Sequence, residues 1–292
     1  MHAVMIIAHN QFELLEKLIL ALDDERNDIF VHIDAKVKNF DFSHFTALTK
    51  HSRVVFTDER INVTWGDFSQ IKTEIVLLNT ALACENPEKP YRYFHLISGS
   101  DLPIQSNDDI HRFFEENDGR EFIHFTHSVA TSGDVSRLRY YHLFRGKRTF
   151  IRKLLGQITL RLQILLHINR LKKMGIRVQK GSNWFSITGD FAHYIAENYQ
   201  KYEKIFRYSY CGDETFVQTM LENSPYKSNL YMPECHNSHK ACLRLIDWER
   251  GNPYVWRTED FETIKNSSCI FARKFDLNVD SEIVEKVLDY IR

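Results

Sequence analysis

The chain predicts an α/β fold with a mixed, mostly parallel sheet flanked by helices, and three observations carry that expectation. Apolar runs of strand length alternate with stretches of helical period over the first 126 residues. Polar residues gather just beyond the ends of those runs, where open α/β sheets bind ligands. Finally, 292 residues with 43% hydrophobic and 26% charged side chains suffice for one large α/β domain with a substantial core. No repeat, low-complexity tract or linker divides it, so one domain is expected over residues 1–292.

The elements follow in order. "AVMIIAH" (3–9) is a short apolar run ending in polar residues, as a buried parallel strand should be. "FELLEKLILAL" (12–22) has apolar residues at helical spacing. "DIFVHIDAK" (28–36) and "RVVFTD" (53–58) are strands, and "FSQIKTEIVLLNTALA" (68–83) is a long amphipathic helix. "YRYFHLIS" (91–98) is a further strand, "NDDIHRFFEEN" (107–117) a helix, and "EFIHFTH" (121–127) closes the series as a strand. Strands separated by helices imply βαβ units. Later, "GSNWFSITGDFAHYIAENY" (181–199) turns from strand to helix.

Composition excludes several classes. A formal net charge of -1 gives no general reason to expect nucleic acid. No GxGxxG and no GxxxxGK[ST] follows any strand, which argues against a dehydrogenase or a P-loop enzyme. The five cysteines show no CxxC spacing and read as reduced thiols of a cytosolic protein. Cys235, His236, His239 and Cys242 do not have a familiar zinc-finger spacing. The N-terminus lacks a basic region and its apolar stretch is too short for a signal or anchor, so the sequons at Asn62 and Asn266 are expected to stay unglycosylated.

Charge is distributed unevenly. From Arg137 to Lys180 there are 13 lysines and arginines and no acid. Within that segment, residues 150–179 are apolar along one helical face and cationic along the other. The plain reading is a surface helix with a solvated basic side. The sharper reading is an interfacial helix on anionic lipid, with Arg152, Lys153, Arg161, Arg170, Lys172 and Lys173 facing the headgroups.

"YCGDETFVQTML" (210–221) places Asp213 and Glu214 at the mouth of an apolar run. Gly212 and Asp213 make a plausible helix start, and an acid in a first turn gains from the helix dipole. On this stretch alone a capping role and a catalytic role both stand.

Six stretches in order carry a family resemblance: "HIDAK" (32–36), "VTWGDFSQI" (63–71), "LISGSDLPI" (96–104), "GSNWFSIT" (181–188), "GDETFVQTML" (212–221) and "FARKFD" (271–276). Together they resemble the core-2/I-branching β-1,6-N-acetylglucosaminyltransferases and their xylosyltransferase relatives, over nearly the whole chain outside 128–178. The resemblance implies a GT-A-type nucleotide-sugar (Rossmann-like) fold, with 1–126 mainly the UDP-sugar-binding half and 181–292 the acceptor and catalytic half. Residues 128–178 are then a basic amphipathic insertion. It also implies inverting transfer from a UDP-sugar without a metal or other cofactor. Animal members carry a Golgi anchor and lumenal disulfides, so this chain is similar to a bacterial-type cousin in the cytoplasm, peripheral at the inner face of the membrane. The expected donor is UDP-GlcNAc and the expected acceptor a glycan or lipid-linked saccharide.

Residue by residue, the resemblance gives Glu214 the role of base and leaves Asp213 as the cap. Where many GT-A enzymes carry a metal-binding DxD, this chain reads "SGSDLP", and no DxD occurs anywhere in it. Fixed cations must then offset the charge on departing UDP; the resemblance puts that task on Arg257 and Lys274. His9, His32 and Asp34 are expected near the uridine, Asp101 as a donor contact, Trp248 as the platform for the acceptor sugar, and Trp65 as structural. The alternatives are another UDP-sugar such as UDP-xylose, or a catalytically silent nucleotide-sugar-binding protein.

Overall fold

The computed structural model describes residues 1–144, 149–172, 174–234 and 238–292. Cys235, His236 and Lys173, named above as zinc and lipid candidates, lie outside the described residues. Cys84, Cys211, Cys242 and Cys269 are free thiols.

The chain opens with β1 (His2–Ala8), α1 (Phe12–Ala21), β2 (Asn27–Ile33), the single turn α2 (Phe42–Thr46), β3 (Arg53–Phe56) and α3 (Ser69–Ala83). It continues with β4 (Tyr93–Ser98), β5 (Asp101–Pro103), α4 (Asn107–Glu116), β6 (Phe122–Ile123), α5 (Ser132–Arg139) and α6 (Phe150–Leu165). Then come β7 (Phe185–Thr188), α7 (Gly189–Phe206), a 3-10 turn (Gly212–Glu214), α8 (Phe216–Glu222), β8 (Arg244–Ile246), α9 (Phe261–Lys265), β9 (Phe271–Arg273) and α10 (Ser281–Ile291).

Among the described residues the main sheet has the order β3-β2-β1-β4-β7-β6, and a smaller sheet the order β5-β9-β8. The first four strands of the main sheet are mutually parallel, while β7 runs antiparallel to both β4 and β6. This is the mixed, mostly parallel α/β architecture expected, with a Rossmann-like first half. The stretch 121–127 departs from expectation: only Phe122 and Ile123 form a strand, antiparallel to Ser186 and Phe185, while Glu121 makes an isolated parallel bridge to Leu230.

Strand periodicity explains the two cores. Val4, Ile6, Ala8, Ile29, Val31 and Ile33 face one side, where α1, α10 and the small sheet pack. Ala3, Met5 and Phe30 face the other, under α3, α7 and α8. Because β1 and β2 are covered on both sides, their sequences are near-continuous apolar runs. Each fully buried aliphatic side chain contributes about 1.5–3 kcal/mol. Side-chain caps begin several helices: Ser106 accepts from the Asp109 amide at 3.1 Å, and Thr188 from the Phe191 amide at 3.2 Å.

Arg244 joins the two sheets. It is fully buried and donates to the carbonyls of Leu96, Phe185 and Cys242 at 3.0, 2.8 and 2.6 Å, with Phe271 beneath its guanidinium. The small sheet is thereby held at the carboxyl ends of β4 and β1, which carries the residues after β9 to that edge.

The basic segment differs from the sequence expectation in two ways. Its helix covers only 150–165 of the expected 150–179. Arg170 does not face outward: it donates to the carbonyls of Leu138, Tyr140, Lys204 and Ile205 and lies over the ring of Tyr141. No helix among the described residues is long and apolar enough to cross a membrane.

Candidate active site

A cleft of about 750 Å³ opens beyond the carboxyl ends of β1 and β4, where an open α/β sheet presents its ligand site. His9 and Asn10 after β1, and Ser98 to Ser100 after β4, form one wall. Lys274 and Arg273 approach from the small sheet, Glu214 from the 3-10 turn, and Lys180 from the irregular segment ahead of β7. Trp65 and Trp248 stand at the rim, 59% and 50% exposed. A second hollow, sharing His9 and Asn10, continues toward Asp34 and Lys36.

The Glu214 turn is built by close backbone approaches. The Gly181 amide donates to the Glu214 carbonyl at 2.8 Å, and a Cβ at Gly181 would lie 1.6 Å from the His124 carbonyl oxygen. A Cβ at Gly212 would meet Ser209 Oγ at 2.2 Å and Ile71 Cδ1 at 2.8 Å. Only glycine fits either place. Beneath the turn, Gln70 of α3 donates to Asp213 Oδ2 at 2.8 Å while its Oε1 accepts from the Gly66 amide.

Glu214 is partly exposed and pairs with Arg137 Nη1 at 2.7 Å and Lys180 Nζ at 3.6 Å. Two cations therefore orient it from the side. Asp213 is not a cap. Its side chain caps no amide and is 6% exposed, with Oδ1 unpartnered among the described residues. Burial, and then the Glu214 charge, push its carboxyl up to about 7. Glu74, on α3 below it, is buried with one unpartnered oxygen, and burial holds it well above the usual carboxylate range. Glu214 thus sits above two acids that burial drives toward neutrality.

Lys274 follows β9, lines the cleft and makes no ion pair with the described residues. Its backbone is locked, with the Trp256 amide donating to its carbonyl at 3.0 Å. Arg257 does not join it: it is exposed, ahead of the 3-10 turn Thr258–Asp260, and absent from the cleft lining. Arg273 occupies the cleft wall instead, its guanidinium 4.2 Å from the Trp184 ring centre and Nη1 3.3 Å from Asp101 Oδ1. The signal for Arg273 was its place beside Lys274 in "FARKFD". Arg137 and Lys180 mark the two ends of the acid-free segment, a coincidence that charge counting could have flagged.

Asp101 is a bracket and does not reach the cleft. It is buried, and its oxygens accept from the Ser98 amide at 2.9 Å and Ser98 Oγ at 2.8 Å, folding the "SGSD" turn. That commitment leaves it unsuited to hold a metal. His32 is likewise internal: its Nε2 accepts from the Ile61 amide at 2.8 Å, and burial lowers its pKa to about 4. Asp34 borders the second hollow but is nearly buried, accepting from the Lys36 amide at 2.8 Å, with Lys36 Nζ 3.2 Å away. His9 lies where the two hollows meet; desolvation lowers its pKa and Asp34 opposes the shift.

Trp248 is an exposed indole at the cleft edge whose Nε1–H donates to His239 Nε2 at 3.0 Å. Trp65, expected to be structural, is exposed at the opposite rim and meets Tyr210 edge to face. The resulting cleft has aromatic rims, cations on one wall and a carboxylate on another. Cations of this kind suit an anionic ligand, and exposed indoles suit a flat apolar surface.

The family model for Core-2/I-branching enzymes matches residues 3–268. Xylosyltransferase 2 of Rattus norvegicus is 25% identical over 304 residues, covering 99% of this chain and 33% of its own length. Xylosyltransferase 1 of Homo sapiens is 25% identical over 306 residues, covering 98% of this chain and 30% of its own. The chain thus spans about a third of the length of these curated relatives. Among solved structures, mouse xyloside xylosyltransferase 1 in its apo form aligns with a TM-score of 0.37 at 10% identity, over 93% of this chain and 96% of that one. With its match over residues 3–268, this chain belongs to the Core-2/I-branching enzyme family, a family of glycosyltransferases.

Proposed function

We propose that the protein is an inverting glycosyltransferase that moves a sugar from a UDP-sugar onto a hydroxyl of a glycan or lipid-linked saccharide, without a metal. The observation that carries this reading is that Glu214, Lys274 and Trp248 line one cleft at the ligand-binding edge of the sheet. Glu214 is the base. The acceptor oxygen attacks the anomeric carbon as the bond to the diphosphate oxygen breaks, its proton passes to Glu214, and UDP leaves with the bonding electrons. Arg137 and Lys180 pair with the carboxylate and orient it toward the acceptor hydroxyl. Lys274, helped by Arg273, offsets the charge growing on UDP. His9 and Asp34 border the hollow assigned to the nucleoside, and Trp248 stacks on the acceptor sugar.

For the donor we favour GlcNAc, on the motif resemblance. The names of the xylosyltransferase relatives favour UDP-xylose as the second reading. The absence of any DxD, with Asp101 tied to Ser98, supports metal independence. The test is UDP release from a panel of UDP-sugars in EDTA. Turnover of UDP-GlcNAc is expected. Faster turnover of UDP-xylose moves the donor to the second reading. Loss in EDTA with rescue by Mn²⁺ overturns metal independence, and no turnover under either condition leaves the silent binding protein.

A further inference from the structure

Helix α6 is mounted with its apolar side outward. At about 100° per residue, Ile151, Leu154, Leu155, Ile158, Leu162 and Leu165 fall within roughly a 100° arc of the helix. All six are exposed, from 38% to 73%, and the helix buries no residue at all. The half-covered stripe is Gly156, Thr159, Leu160 and Gln163, on another side. Gln163 anchors the helix there, accepting from the Tyr141 amide at 2.7 Å and donating to its carbonyl at 3.0 Å. A helix that merely covered the protein would turn these leucines and isoleucines to the core.

We infer that α6 is an interfacial helix that docks the protein on an anionic lipid bilayer. Charge selects this occupant. Lys153 and Arg161 are exposed on α6, Lys172 and Arg177 follow it, and no acid lies between Arg137 and Lys180. A second copy pairing through the same face would crowd like charges with no carboxylate of the segment to offset them. A bilayer rich in acidic lipid satisfies both features, taking the apolar arc into the headgroup boundary and the cations onto phosphates. The mounting is firm: Arg170 bonds to carbonyls of the α5–α6 connection and of α7, and the Arg170 amide donates to the Arg139 carbonyl at 3.1 Å. The inference is independent of donor and of glycosyl transfer.

The experiment is co-sedimentation of the full chain with phosphatidylglycerol or phosphatidylcholine vesicles, at low and high salt. Binding to phosphatidylglycerol at low salt is expected, roughly tenfold or more above phosphatidylcholine and weakened as salt shortens the screening length. The exposed double substitution Ile158→Glu/Leu162→Glu should abolish binding while leaving the melting temperature and UDP-sugar turnover unchanged. Lys153→Gln/Arg161→Gln should weaken binding and flatten its salt dependence. The inference is overturned if the wild type ignores phosphatidylglycerol at low salt, or if the double glutamate variant binds as well as the wild type. Self-association that the glutamates disrupt, without vesicle binding, likewise overturns it and assigns the face to a second copy.

Discussion

Lys274 and Arg257 show what one residue's surroundings decide. Both are cations in family-like stretches, yet only Lys274 lines the cleft, because β9 delivers it there while Arg257 stays on the surface. Under the proposed function, in which Lys274 meets the diphosphate, Lys274→Ala should weaken UDP by roughly tenfold and uridine hardly at all, as calorimetric titration of each would show. Equal weakening of both would place Lys274 at the nucleoside instead. Sequence gave the right type of residue at Asp101 and His32 but the wrong side of the wall. A strand-end polar residue either enters a crevice or ties down the loop that makes it, and the two choices look alike in a linear sequence. Trp65 illustrates the reverse error, an indole in a recognisable motif expected to be structural that stands exposed at the rim.

At the scale of elements, the order of the longer strands and helices was legible through 117 because burial on both faces gives β1, β2 and β4 continuous apolar runs, whereas the short α2 and β5 carry no such signal. The pairing of β7 was not, since the direction of a strand of four residues depends on partners far away in sequence. Amphipathicity in α6 was also visible, but sequence does not say which face is covered. Arg170 marks where that ambiguity misleads, a cation counted toward lipid that in fact clamps backbone carbonyls. Arg170→Ala should lower stability by about 2–3 kcal/mol in urea unfolding, because partly buried carbonyls lose a charged donor. Arg161→Ala, on the exposed side of α6, should change it by less than about 0.5 kcal/mol. Equal effects would contradict the clamp.

Taken whole, the molecule carries buried titratable groups of both kinds, and they set its pH range. His32 and His111 are lowered from 6.5 to about 4 and His124 to about 3, with burial the main cause in each; His2 and His95 are lowered well below 6.5 by burial. The unfolded chain takes up protons below pH 6.5 that the native core refuses, so stability falls as pH drops from about 6.5 toward 4. Asp213 and Glu121 act in the opposite sense, because burial raises both to about 7 and the native state holds their protons after the unfolded chain has released them. Their contribution is lost as pH rises through 7. The melting temperature should therefore peak between about pH 6 and 7, and a continued rise toward pH 4 would contradict a neutral histidine core. The two acids of "GDE" differ in their surroundings: near neutrality buried Asp213 is partly protonated and resembles its amide, whereas Glu214 faces the cleft and pairs with Arg137 and Lys180. The most direct measurement of the central claim is UDP release from a UDP-sugar by Glu214→Gln and Asp213→Asn, alongside UDP binding. The account predicts that Glu214→Gln loses roughly 10²-fold or more in turnover with UDP binding kept, while Asp213→Asn stays within about tenfold of wild type; a Glu214→Gln enzyme near wild-type rate, or a dead Asp213→Asn enzyme beside it, would contradict it.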